Sequence, residues 1–177
     1  YFLSTWRIGL YFVLKSYEFK KDDEVLITGI GIPDTINSIC LAGLKPVFVD
    51  MDLETHNLDI NELKKKISPK TKVIHITYLS GLVPDMDQIC KISNENNLIL
   101  LEDISQAYGA NFKGKLCGTF GDASIGSFSL GKTISSNGGG VVMINNPEIK
   151  SEFEKIFANN LKIPNKLFLL KINLNQL

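Results

Sequence analysis

Leu100-Leu101-Glu102-Asp103-Ile104-Ser105-Gln106-Ala107-Tyr108-Gly109-Ala110 decides how the rest of this chain is read. Leu98 to Glu102 reads as a buried strand, which puts Asp103 at its carboxyl end and Gln106 three residues beyond. In open α/β sheets, ligands gather outside the carboxyl ends of the strands. Farther along stands Lys132, with Ser127 five residues before it and the glycine run Gly138-Gly139-Gly140 after it.

The ordered set of aspartate, amide, serine and lysine suits a pyridine-ring cofactor, pyridoxal 5'-phosphate (PLP). PLP is a deep electron sink only while its ring nitrogen is protonated, and a buried carboxylate secures that by ion pairing. Asp103 is the candidate. A lysine must hold the cofactor aldehyde as a Schiff base, release it, and then move protons as an amine of lowered pKa. Lys132 is the candidate. The phosphate calls for short donors such as a serine hydroxyl and backbone N–H groups, which makes Ser127 the third. Each of these residues has a bland alternative as well: a turn cap for Asp103, an exposed amide for Gln106 and a solvated amine for Lys132.

Outward from this stretch the chain alternates helix and strand, which predicts an α/β fold with a mostly parallel sheet flanked by helices. Helices are expected over 5–17, 33–41, 60–67, 85–96 and 147–159, and strands over 24–28, 46–50, 72–77, 98–102, 123–129 and 140–145. Pro33 suits a helix start, Asp59 can cap the helix that follows it, and Glu62 lies four residues before Lys66. Residues 112–115 read as a turn. The short link across the glycines predicts antiparallel pairing of the last two strands.

With these residues placed, the chain from Asp23 to Asn145 resembles the DegT/DnrJ/EryC1/StrS family of PLP-dependent sugar aminotransferases. The resemblance runs through D-E-V-L-I (23–27), A-G-L-K-P-V-F-V-D-M-D (42–52), S-P-K-T-K-V-I (68–74) and P-D-M-D-Q-I (84–89). It continues through the opening stretch, K-G-K-L-C-G-T-F-G-D (113–122) and F-S-L-G-K-T-I-S-S-N-G-G-G-V-V (128–142). It implies the large domain of the aspartate aminotransferase fold type I. It also implies roles: Asp103 against the ring nitrogen, Gln106 against the phenolic oxygen, Ser127 on phosphate and Lys132 as the Schiff-base lysine. The reaction implied carries an amino group from an amino acid, by resemblance glutamate, to a nucleotide-linked keto sugar in a cytoplasmic homodimer. In a related branch with dehydratase chemistry a histidine takes the lysine's place, so Lys132 points to transamination. The chain departs from the family at three places. Ile32 stands where a stacking aromatic is usual, Trp6-Arg7 where a Gly-Thr pair opens a helix onto the phosphate, and Tyr78 where many members carry histidine. Arg7 is a candidate to restore positive charge there.

At 177 residues, beginning on Tyr1, the chain is expected to be a fragment. Residues 1–160 read as part of the PLP-binding large domain, and 161–177 as a linker or the start of a C-terminal segment. Alone it is expected to bind PLP weakly or not at all and to show no turnover.

Two short motifs compete. Gly126 to Thr133 matches the P-loop pattern G-x-x-x-x-G-K-[ST], but the residues after Lys132 make a poor helix. Gly29 and Gly31 follow a strand, and Asp50 ends the next one 19 residues after Gly31, as in a Rossmann-like dinucleotide site. The third glycine position there is Asp34, whose charge would repel a pyrophosphate. A cofactor-free scaffold degenerated from the same fold is the remaining alternative.

Composition is that of an ordinary globular domain, with 44% hydrophobic and 21% charged residues and a formal net charge of zero. That balance gives no electrostatic reason to expect nucleic acid or an anionic membrane as partner. Cys40, Cys90 and Cys117 are too few and too scattered for a disulfide framework or a zinc site, and suit a reducing compartment. The apolar run from Ile8 to Leu14 is too short to span a bilayer. No metal is expected. His56 reads as a loop residue, His75 as an ordinary strand residue, and Lys64-Lys65-Lys66 as a solvated helix face.

Overall fold

Strands that read as near-continuous apolar runs become the middle of a sheet covered on both faces. The computed structural model describes residues 1–160; the linker expected over 161–177 lies outside the described residues. In chain order the strands are β1 (Phe2–Leu3), β2 (Glu24–Thr28), β3 (Lys45–Val49), β4 (Thr71–Thr77), β5 (Ile99–Asp103), β6 (Asn111–Phe112), β7 (Lys115–Leu116), β8 (Ala123–Ser127) and β9 (Gly140–Ile144). The helices are α1 (Trp6–Lys15), α2 (Pro33–Leu41), α3 (Ile60–Lys66), α4 (Met86–Glu95) and α5 (Pro147–Asn160). Seven strands form one sheet in the order β1-β9-β8-β5-β4-β2-β3, and β6 pairs with β7 in a separate ribbon. β3, β2, β4, β5 and β8 run parallel, while β9 is antiparallel to β8 and β1 antiparallel to β9.

Local signals in the sequence explain where the helices begin. The Asp59 carboxylate accepts from the N–H groups of Asn61 and Glu62 at the start of α3, and Asp85 accepts from Gln88 N–H at the start of α4. Pro33 opens α2 at no cost in hydrogen bonds. Each helix then buries one stripe. Leu10, Val13 and Leu14 of α1, Ile39 of α2 and Phe153 of α5 cover Val25, Val73, Leu101, Ile125 and Val142 on one face of the sheet. On the other face, Leu63 of α3 and Met86, Ile89 and Ile92 of α4 cover Leu26, Ile74, Ile76 and Leu100.

The expected elements form, with ends shifted by a residue or two. Asp103 is the last residue of β5 itself, because its Cα pairs with both Thr77 and Ile125. The strand expected to reach 129 stops at Ser127. There the chain turns away, with Phe128 N–H donating to Gly139 C=O and the Ser136 and Gly138 N–H groups donating to Phe128 C=O. The residues after Lys132 lead through this turn to β9 without a helix, so the P-loop pattern lacks the helix N-terminus it requires. β1 was not expected, since two residues carry no period.

α1 lies with its N-terminus against the start of β9. A Cβ on Gly140 would collide with the backbone of Thr5 and Trp6, so only glycine lets the strand begin beneath the helix end. Thr5 and Gly139 form a parallel bridge at the same place. This contact brings the positive end of a helix to the edge of the sheet where the parallel strands finish.

Candidate functional site

Successive residues of a strand face opposite sides of the sheet, so Glu102 and Asp103 part company at the end of β5. Glu102 is fully buried and saturated. Its carboxylate accepts from Tyr78 Oη at 2.6 Å, Gly118 N–H at 2.6 Å, Phe120 N–H at 2.7 Å and Gly121 N–H at 2.6 Å. Tyr78 is turned into this core, and burial followed by the Glu102 charge drives its phenol far above the ordinary range. Cys117 and Cys90 belong to the same side, and burial raises both thiols.

Asp103 faces the other way, with Leu101 and Val73, and is 5% exposed. Among the described residues its carboxylate receives a hydrogen bond from Ser105 N–H alone, at 2.8 Å. A buried carboxylate carrying one donor calls for a cationic partner. One strand over, on the same face, His75 is 1% exposed and its Nε2 has no hydrogen-bond partner. The under-satisfied carboxylate at the end of β5 fits the protonated edge of a pyridine ring.

The phosphate side fits as well. Ser127 lies on β8 two residues past the partner of Asp103, and its Cα pairs with Gly140, the residue against the α1 N-terminus. Its hydroxyl lies 2.9 Å from that of Ser129, and its carbonyl accepts from Tyr108 Oη at 3.1 Å. The first turn of α1 carries no acidic residue, and Ile8 N–H meets its Thr5 cap only at 3.5 Å. That end of the helix is suited to an anion. Trp6, in place of a small residue, folds into the core at 4% exposure. Arg7 does not restore charge at this site: its guanidinium is ion-paired with Asp34 at 2.7 Å, on the outer side of α1 and α2. That pair also sets Asp34, at the start of α2, against the Rossmann-like reading, since a carboxylate already occupies the anion position.

Gln106 and Lys132 are on loops leaving the same edge. The Gln106 side-chain oxygen accepts from Ser80 N–H at 2.8 Å, which leaves its amide N–H groups to face a ligand. Lys132 is half-buried in the turn between β8 and β9, its own N–H donating to Ser129 C=O. Tyr108, which no sequence signal singled out, stacks on Phe128 at 5.4 Å between ring centroids. Burial, with Asp103 adding to it, pushes its phenol up to about 12. Ile32 is 45% exposed and lines a small cavity of about 40 Å³ together with Thr28, His75 and Thr77. A groove of about 1050 Å³ lies elsewhere, on the outer side of α1 and α2, lined among others by Arg7, Tyr11, Asp34 and Leu41. Among the described residues no helix is long and apolar enough to cross a membrane.

Residues 8–165 match the DegT/DnrJ/EryC1/StrS aminotransferase family. A GDP-perosamine synthase of Escherichia coli O157:H7 is 36% identical over 143 residues, which cover 81% of this chain and 39% of that protein. Among solved structures, Helicobacter pylori PseC, an aminotransferase involved in the biosynthesis of pseudoaminic acid, superimposes with a TM-score of 0.84 at 26% identity, covering 93% of this chain and 45% of that one. The E. coli GDP-4-keto-6-deoxy-D-mannose-3-dehydratase with bound hydrated PLP superimposes with a TM-score of 0.82 at 28% identity, covering 92% and 44%. The fold is therefore that of the PLP-dependent aminotransferases. The chain spans about two fifths of the length of the curated relatives it matches.

Glu102 holds the frame of this edge, so its loss is predicted to act on stability. Glu102→Ala leaves Gly118 N–H buried without an acceptor, at about 1–3 kcal/mol, and leaves Tyr78 Oη only the weak acceptor Met86 Sδ. Urea unfolding followed by circular dichroism should show a lower midpoint with an unchanged slope.

Proposed function

The chain belongs to the DegT/DnrJ/EryC1/StrS aminotransferase family, and from that premise we propose that it is the PLP-binding large domain of an enzyme that transfers an amino group from an amino acid to a nucleotide-linked keto sugar. Glutamate is the proposed donor, a cytoplasmic homodimer the proposed assembly, and residues 161–177 the proposed lead into a further segment. The observation that carries this reading is Asp103, a carboxylate buried at the end of β5 with a single donor.

PLP, when bound, supplies an electron sink whose depth depends on a protonated ring nitrogen. The roles proposed for the side chains follow from their chemistry. Asp103 holds the proton on that nitrogen, because its buried charge is stabilised most by a cation at contact. Ser127 and the N-terminus of α1 bind the phosphate through a hydroxyl and backbone N–H groups. Gln106, its side-chain oxygen held by Ser80 N–H, would offer its amide N–H to the phenolic oxygen. Ile32, 45% exposed, would offer aliphatic surface to one ring face. Compared with an aromatic, that forgoes about 0.5–1.5 kcal/mol, a loss that a covalent attachment to the protein tolerates. Lys132 would be the residue that holds the group covalently, and its free Nζ amine would take and return a proton.

Two outcomes test these roles in the whole protein that carries this chain. Borohydride reduction in the presence of PLP, followed by peptide mass spectrometry, should place the added mass on Lys132, and Lys132→Ala should abolish it; the mass on a different lysine would overturn the assignment. Asp103→Asn should leave the circular dichroism spectrum unchanged and slow transamination by several orders of magnitude, since an amide cannot hold the ring nitrogen protonated. Near-normal turnover in that variant would rule out the role.

A further inference from the structure

His75 is used by neither the fold nor the proposed reaction. It sits in strand β4, between β5 and β2, is 1% exposed, and carries an Nε2 with no hydrogen-bond partner among the described residues. Burying such a group unpaired costs about 1–3 kcal/mol, and apolar residues that would fill the position better are plentiful in this sheet. Its neighbourhood is otherwise without charge. His75 shares a small cavity with Ile27 and Thr28 of β2, Thr35 and Ile36 of α2, and Phe48 of β3. Burial favours the neutral ring, and the Asp103 carboxylate on β5 favours the protonated one.

The register explains the relation. His75 pairs with Leu101, and Thr77 pairs with Asp103, so all four side chains are on one face and His75 is the diagonal neighbour of Asp103. Asp103 itself has room for more donors than Ser105 N–H supplies. The cavity of about 40 Å³ beside the imidazole gives the ring space to turn.

We propose that His75 is a positioning residue for Asp103, an imidazole that donates an N–H to the carboxylate across the boundary of β4 and β5 and fixes the direction it presents to a cationic ring. The proposal rests on the role given to Asp103 above. Its test uses the chain without PLP, so the two can fail separately. In long-range 15N–1H spectra of the cofactor-free chain, His75 should show a single ring tautomer and a slowly exchanging ring N–H proton. Asp103→Asn should shift both ring nitrogens and speed exchange of that proton, while His56, exposed in its loop, stays unchanged as the internal control. The 13C shift of the Asp103 carboxyl in His75→Gln and in His75→Leu reads the same contact from the other side. In the whole protein that carries this chain, with PLP added, His75→Gln, which keeps an N–H donor, should retain affinity near wild type, and His75→Leu should lose about tenfold. A His75 ring whose resonances are the same in wild type and Asp103→Asn, or equal PLP affinity in His75→Gln and His75→Leu, would overturn the proposal.

Discussion

Two carboxylates in sequence at the end of β5 are forced by the pleat onto opposite faces of one sheet, and the site depends on that parting. Glu102 spends its charge inside the protein. Three backbone N–H groups of the 118–121 segment and the Tyr78 hydroxyl converge on it, which ties the loop after β7 and the end of β4 to the end of β5. Asp103 keeps its charge available, with a single internal donor. Without Glu102 holding this edge from behind, the direction of Asp103 would be set by a loose strand end. Tyr78 adds a second tie, since its N–H donates to the Asp103 carbonyl while its side chain bonds Glu102.

The second constraint is how closely α1 meets β9. Gly140 has no Cβ to hold the helix off, and Gly9, inside α1, would meet Val142 in the same way. The helix end is therefore seated beside Ser127, in line with Asp103 along the C-terminal edge of the sheet. Nothing acidic opposes its positive end. Arg7, pointing outward to Asp34, serves the α1 to α2 junction instead of an anion. Electrostatically the edge is divided in two, with a carboxylate at β5 and a helix N-terminus at β9, and a ligand cationic at one end and anionic at the other matches that division.

Much of this was legible in the sequence because buried parallel strands are nearly continuous apolar runs. β2 and α2 fall where the pattern predicts, and the glycine run correctly foretells the antiparallel return of β9. Asp103, Gln106, Ser127 and Lys132 are found at or just beyond the ends of neighbouring strands, as their order implies. What the sequence could not convey was register. His75 looks like any strand residue until β4 and β5 are aligned, and only then does it stand diagonal to Asp103. The direction of Tyr78 and the pairing of Arg7 with Asp34 are likewise tertiary facts that leave no periodic trace. β1 is too short to have a pattern at all.

The central claim is that Asp103 keeps a pyridine nitrogen protonated. The most direct measurement is the 15N shift of the ring nitrogen of 15N-labelled PLP held by the protein at saturating concentration. The account predicts a pyridinium shift in the wild type at a pH where the ring nitrogen of unbound cofactor is neutral, and a neutral-pyridine shift in Asp103→Asn. A bound cofactor whose nitrogen is neutral in the wild type, or equally protonated in both proteins, would contradict it.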